Sequence, residues 1–174
     1  FDNQSIVGTW ELLINNRHSQ GGTIDYTIMV ETDNSDPDPV PYYGESYSSS
    51  STSFSSYGLT SIPIEIIDSG TITDLNIKIN VDHLSSEGLR FCSLTLMSPY
   101  GNAVVLAAGD QIGGDWSGSD GGQLYNTIFD DEASTNIYSG IAPFAGPFTP
   151  ANYSSAFDNQ SIVGTWELLI NNRH

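Results

Sequence analysis

Apolar and polar residues alternate one by one over several stretches of this chain, the spacing of half-buried strands. From Ile72 to Val81, residues Leu75, Ile77, Ile79 and Val81 share one face, while Asn76, Lys78 and Asn80 take the other. Thr23 to Val30 sets Ile24, Tyr26, Ile28 and Val30 against Asp25, Thr27 and Met29. Trp166, Leu168 and Ile170 repeat the pattern, as do Trp10, Leu12 and Ile14. Cys92 is in phase with Leu94 and Leu96, which predicts a small core residue. No stretch of helical length repeats at 3.6 residues. Turn signals fall between the alternating stretches, at Gly21-Gly22, Ser69-Gly70, Ser98-Pro99-Tyr100-Gly101, Gly113-Gly114 and Gly121-Gly122. Many short strands with this punctuation predict an all-β fold, an antiparallel jelly-roll β-sandwich.

The periodicity is overlaid by a longer repetition. Phe1 to His18 reads FDNQSIVGTWELLINNRH, and Phe157 to His174 reads the same eighteen letters, a period of 157 − 1 = 156 residues. That is too long for a solenoid unit and about right for one domain plus a linker. The chain is thus expected to be a window on a tandem array, cut inside a strand-rich segment. The linker is expected at 33–58. It opens with the acidic, proline-rich run Asp33 to Pro41, and eight of the eleven residues from Ser46 to Ser56 are serine. Prolines withhold ladder hydrogen bonds and serines bury little. Fully extended, the 25 residues from Asp33 to Tyr57 reach roughly 80 to 90 Å, enough to join neighbouring domains. Its aromatics, Tyr42, Tyr43, Tyr47, Phe54 and Tyr57, predict that it lies against a domain instead of hanging free.

Composition narrows the partners. The chain has 21 acidic residues against 4 Lys+Arg, a formal charge of −17. Nucleic acid is excluded as a partner on that ground, because phosphate backbones are bound by clustered basic residues. Subtracting one copy of the repeat (two acids, one arginine) leaves 19 acids and 3 bases per 156-residue unit, so an array would be a polyanion. A single cysteine excludes an intramolecular disulfide framework. The longest apolar run, Ala103 to Ala108, is far short of the roughly 20 residues of a membrane-spanning helix.

The order of motifs resembles the P domain, or Homo B domain, that follows the protease domain in subtilisin-like proprotein convertases and secreted bacterial proteases. The matching pieces are Gly70 to His83, Leu94-Thr-Leu-Met-Ser-Pro-Tyr-Gly101, Phe129-Asp-Asp-Glu-Ala133, Ile141 to Pro150, Ser155-Ala-Phe-Asp-Asn159 and Gly164-Thr-Trp166. One departure is Glu87-Gly88-Leu89, where the family usually has Gly-Asp-Leu after its histidine. The family pattern closes with a strand of the form Gly-Thr-Leu plus an aromatic. Here that strand stands at the front of the chain, as Gly22 to Val30. The resemblance therefore implies a domain of residues 59–174 lacking its last strand, and residues 1–32 that belong to the sandwich of a preceding or neighbouring copy.

A sandwich without its last strand presents an open edge and an apolar groove. A neighbouring copy's Trp10, Leu12, Ile14, Ile24, Tyr26, Ile28 and Val30 are expected to enter it as an inter-subunit strand, each large side chain contributing roughly 1.5–3 kcal/mol before ordering costs. This is strand addition, and a head-to-tail contact that does not close gives a filament. The first expectation is thus a structural subunit of an extracellular fibre or cell-surface array, a homopolymer or tandem array of copies of itself. Alternatives are a non-catalytic accessory P domain of a secreted protease, or the carbohydrate-binding module of an adhesin.

Candidate chemistry is confined to the acids. Asp110, Asp115 and Asp120 punctuate a glycine-rich loop, and Asp130, Asp131 and Glu132 follow. Hard cations take six to eight oxygens from such loops, so calcium is the expected ion, set against plain capping of a turn by Asp131 or Glu132. Asn3, Asn152 and Asn159 open glycosylation sequons. Asp82-His83 beside serines lacks the geometry of a nucleophilic triad, and no nucleophile-elbow motif is present, so the chain reads as a non-enzyme.

Overall fold

The computed structural model describes residues 21–33, 45–55, 57–83, 88–109 and 123–173. The alternating stretches become strands in it: β1 (Gly22–Thr32), β2 (Glu45–Ser48), β3 (Thr52–Phe54), β4 (Gly58–Ile66), β5 (Ile72–His83), β6 (Cys92–Met97), β7 (Ala103–Ala108), β8 (Gln123–Phe129), β9 (Gly146–Phe148) and β10 (Gly164–Asn172). The remaining regular structure among the described residues includes short 3-10 turns, such as Gly88–Phe91 and Ser154–Phe157. The chain is all-β, as its periodicity predicts.

Two sheets result. One has the order β2-β1-β5-β8-β9, with β3 also paired to β1; the other has the order β4-β10-β6-β7. All pairings are antiparallel except β8 with β9. The inward faces meet in one apolar core. Ile24, Tyr26, Ile28 and Val30 of β1, Leu75, Ile77, Ile79 and Val81 of β5, and Trp166, Leu168 and Ile170 of β10 are all buried in it. Cys92, Leu94 and Leu96 join them, so the cysteine is core, and burial pushes its thiol up to about 12.

The two halves are also tied by a hydroxyl. Tyr26, on β1 of the first sheet, donates to the Ile62 carbonyl on β4 of the second at 2.9 Å, and its oxygen lies 3.3 Å from the Trp166 carbonyl on β10. Phe157 stacks edge-on against Trp166, with ring centroids 5.1 Å apart.

The segment expected as linker contributes two short strands. Its aromatics explain why: Phe54 is buried under β1, and Tyr47 packs against the core while donating to Glu45 and to Asp68, 2.9 Å away for the latter. Burial, then these two carboxylate acceptors, push the Tyr47 hydroxyl well above the ordinary tyrosine range. Serines in this stretch serve as backbone and hydroxyl partners, with Ser49 bound to Tyr26 and Ser48 to Thr27. The proline-rich part, residues 34–44, lies outside the described residues.

Candidate functional site

The feature with functional content is the place each duplicated or displaced strand occupies. β1 is not an edge strand. It lies between β5 on one side and β2 with β3 on the other, in a register that pairs Gly22 with His83 and Ile28 with Ile77. The position that the expectation assigns to a neighbouring copy's 22–32 segment is here taken by the chain's own. β10 is likewise interior, held over its whole length by β4 and over six residues by β6. Both strands therefore fill slots with a wall on each side, and removing either would split a sheet.

The occupant of the β10 slot is the second copy of the duplicated segment. Its anchors are Phe157, Ile162, Trp166, Leu168 and Ile170, all buried, with Asn172 buried at the far end. The segment enters through the 3-10 turn Ser154–Phe157, bridges Thr71 at Ser161, and starts its strand at Gly164. A glycine is required there: φ is +126°, and a Cβ would come within 2.8 Å of the Pro99 ring. The Trp166 indole then donates to the Ile162 carbonyl at 2.8 Å, folding the lead-in back against the strand. Phe157 and Ile162 were not singled out by alternation, because they lie in irregular backbone; the signal that finds them is their membership of the repeated eighteen letters. Of the expected inter-subunit strand residues, Ile24, Tyr26, Ile28 and Val30 are buried in β1, whereas Trp10, Leu12 and Ile14 lie outside the described residues.

The two slots meet at one corner. The Asn172 amide donates to the Ser55 carbonyl at 3.1 Å, while the neighbouring Phe54 pairs with Gly22. Gly21 presses so closely on the Phe54 carbonyl that a Cβ there would collide with it. The end of β10 and the start of β1 thus flank the same two residues.

A second feature is an acidic corner. Asp130, Asp131 and Glu132 form the turn after β8, and the structure brings Asp74 and Asp158 into electrostatic reach of them, with Glu31 in turn beside Asp74. Burial, then the neighbouring Glu31 charge, raises Asp74 above the usual carboxylate range; burial and the bond to Asp130 raise Glu132; burial and Asp131 raise Asp158. Asp131 spends its carboxylate on two backbone donors, the N–H groups of Ser154 at 2.9 Å and Ser155 at 2.8 Å, and Asp130 accepts from the Glu132 N–H at 2.8 Å. Asp131 is therefore the peg that holds the entry turn of the β10 segment. Among the described residues no group of three or more His, Cys, Asp or Glu is arranged to hold a metal ion. Asp110, Asp115 and Asp120 lie outside the described residues.

Asn152 and Asn159 are exposed, and Asn3 lies outside the described residues. The hydroxyl of Ser154, third residue of the first sequon, is buried and donates to the Leu75 carbonyl at 2.8 Å. Among the described residues no helix is long and apolar enough to cross a membrane. Comparisons with protein-family models, with characterised proteins and with solved structures return no match.

Proposed function

We propose that this chain is a structural subunit of an extracellular or cell-surface fibre, built from 156-residue tandem repeats of a P-domain-like jelly-roll sandwich and joined head to tail by strand complementation. One observation carries the reading: the segment repeated without a single change forms, in its described copy, an interior strand with its lead-in from Phe157, and not a linker or a surface loop.

The corner shared by the two slots supports the same reading. In a tandem array the residues after Asn172 run Arg-His-Ser-Gln-Gly-Gly-Thr, the sequence that leads from Asn16 into β1. Because Asn172 and Gly21 flank the same Phe54–Ser55 pair, the following copy's β1 can enter this sandwich directly after its β10. The acidic residues 33–44 would then be the covalent tie to the next unit. The formal charge of each unit keeps neighbouring units apart unless cations intervene, and calcium at the acidic corner around Asp130, Asp131 and Glu132 is the proposed stabiliser.

Electron microscopy of the chain, and of a two-repeat version, in calcium and in chelator tests this. Filaments with an axial repeat of one domain in calcium are expected. Discrete, monodisperse particles under every condition would remove the fibre, and equal thermal midpoints with calcium and chelator would remove the ion.

A further inference from the structure

The sandwich has one β10 slot, and the chain carries two segments that match it letter for letter. We propose that the slot between β4 and β6 accepts either copy, Phe157–Asn172 or Phe1–Asn16, and that the copy left over is the donor received by the same slot of a second molecule of this chain. This deepens the strand-sharing reading and rests on it only for the choice of a second copy as partner.

Three observations converge. The first is chemical identity: every anchor of the bound segment has its twin, with Phe1, Ile6, Trp10, Leu12, Ile14 and Asn16 standing for Phe157, Ile162, Trp166, Leu168, Ile170 and Asn172. No contact made by β10 side chains can distinguish the two.

The second is tethering. The bound copy is attached at its front, through the turn Ser154–Phe157. The other copy is attached at its rear, where Asn16 precedes Arg17, His18, Ser19, Gln20 and Gly21. A strand that runs in the direction of β10 ends beside Ser55, and Gly21 presses on Phe54, so the rear tether has to cover only the width of that corner. Five peptide steps reach up to roughly 18 Å, more than this pair of contacts spans. Either tether therefore delivers the same strand, in the same direction, to the same slot.

The third concerns what an open slot leaves behind. β4 loses its strand neighbour, but β6 keeps β7, and the other sheet keeps β1 between β5 and the β2 and β3 strands. Displacement by an identical strand then replaces each lost contact with its copy, so exchange costs no contacts once the slot has opened.

The molecule carries a built-in reporter of which copy is seated. Cys92 on β6 pairs directly with Asn172, and both residues are 1% exposed. Asn172→Cys in the full chain should link to Cys92 under oxidised glutathione, which takes up the two electrons and two protons as two molecules of reduced glutathione. If either copy fits, Asn16→Cys should link to Cys92 as well. Trp166→Ala, which cripples the C-terminal copy, should raise that yield at least several-fold. Asn15→Cys is the control, because its twin Asn171 is exposed and pairs with Ser93; it should not link.

For the second molecule, a chain carrying N16C and C92S is mixed with a W166A chain that keeps Cys92. A disulfide dimer is expected, whereas the same mixture with N15C in place of N16C should give no disulfide dimer. Linkage from position 172 alone, with none from position 16 within or between chains, would overturn the proposal. Linkage within chains but never between them would overturn the second copy as partner. Filaments formed without any linkage from position 16 would leave the fibre standing while this inference falls.

Discussion

The Tyr26 hydroxyl bonds backbone across the two sheets from the middle of the core, and Tyr26→Phe isolates it. The ring stays, so the apolar area buried by the side chain is unchanged and no cavity opens. What is lost is a hydrogen bond of 2.9 Å to the Ile62 carbonyl and a weaker contact of 3.3 Å to the Trp166 carbonyl. A net hydrogen bond contributes about 0.5–1.5 kcal/mol, with a surcharge where a buried acceptor loses its partner, so the expected loss is about 1–2 kcal/mol. For a chain of this size that corresponds to roughly 3–6 °C in Tm. Urea unfolding followed by tryptophan fluorescence should show a lower midpoint with an unchanged slope, since the surface exposed on unfolding is the same. The effect also has a pH signature. Burial raises the Tyr26 pKa far above its ordinary value of about 10, so the native state holds its proton where the unfolded chain releases it. This contribution is complete below the ordinary tyrosine pKa and is lost as pH climbs beyond it; the phenylalanine variant lacks that component. A midpoint equal to that of the parent, at neutral and alkaline pH alike, would refute the cross-sheet tie.

Two further predictions concern the acidic corner. Asp131→Ala removes the acceptor of both the Ser154 and Ser155 N–H groups and should destabilise by about 1.5–3 kcal/mol, the range for hydrogen bonds to a charged group, read as a lowered urea midpoint. Asp74→Asn should stabilise at neutral pH, because burial and the Glu31 charge raise the Asp74 pKa and so disfavour its ionised form. The sign follows from proton linkage. The native state binds its proton more tightly than the unfolded chain, so in the parent this component of stability is complete below the ordinary carboxylate pKa and is lost as pH rises through the raised one. The gain in D74N should accordingly shrink as pH falls towards about 4, and a gain that is the same at all pH values would sink the explanation.

Strand identity was legible because alternation marks any strand with one face in a core, and β1, β5, β6 and β10 all have that character. β9 was not, because Gly146-Pro147-Phe148 is too short to show a period. β2 and β3 were hidden for a different reason. Serine-rich sequence reads as linker when its own burial is counted, yet a strand can be recruited by a neighbour's apolar face if one residue such as Phe54 anchors it. The duplicated segment was fully legible as a unit, although its anchors Phe157 and Ile162 obey no strand period. The acidic corner was half legible: Asp130 to Glu132 are adjacent in sequence, but Asp74 and Asp158 reach them, with Glu31 beside Asp74, only through the pairing of β1 with β5 and the entry turn of β10. The Cys92–Asn172 pairing is invisible in sequence, since it depends on the register of β6 against β10.

How such a molecule would associate is constrained by its sheet edges. An open edge is a template for pairing with any other strand, and natural sheets blunt it with proline, short strands or covering loops. β4 forms one edge of its sheet and carries Pro63 in its middle, where the missing N–H is tolerated only because it faces away from β10. β7 forms the other edge, and its open side is capped by backbone: the Ala151 N–H donates to Leu106 at 2.8 Å and the Asn152 N–H to Val105 at 2.9 Å. In the larger sheet, β9 is three residues long and contains Pro147, and β2 is four residues long. With these edges guarded among the described residues, the proposed strand exchange would run through an interior slot, the route that the duplicated segment suits. Pro63→Thr should undo one guard. It restores a donor and a β-favouring residue at the β4 edge, leaving the buried Ile62 and Ile64 in place, and it should produce side-by-side association without any linkage between position 16 and Cys92. Sedimentation of P63T beside the parent checks this. If P63T sediments no differently from the parent, edge protection does not govern association, and the argument for an interior route loses its second support.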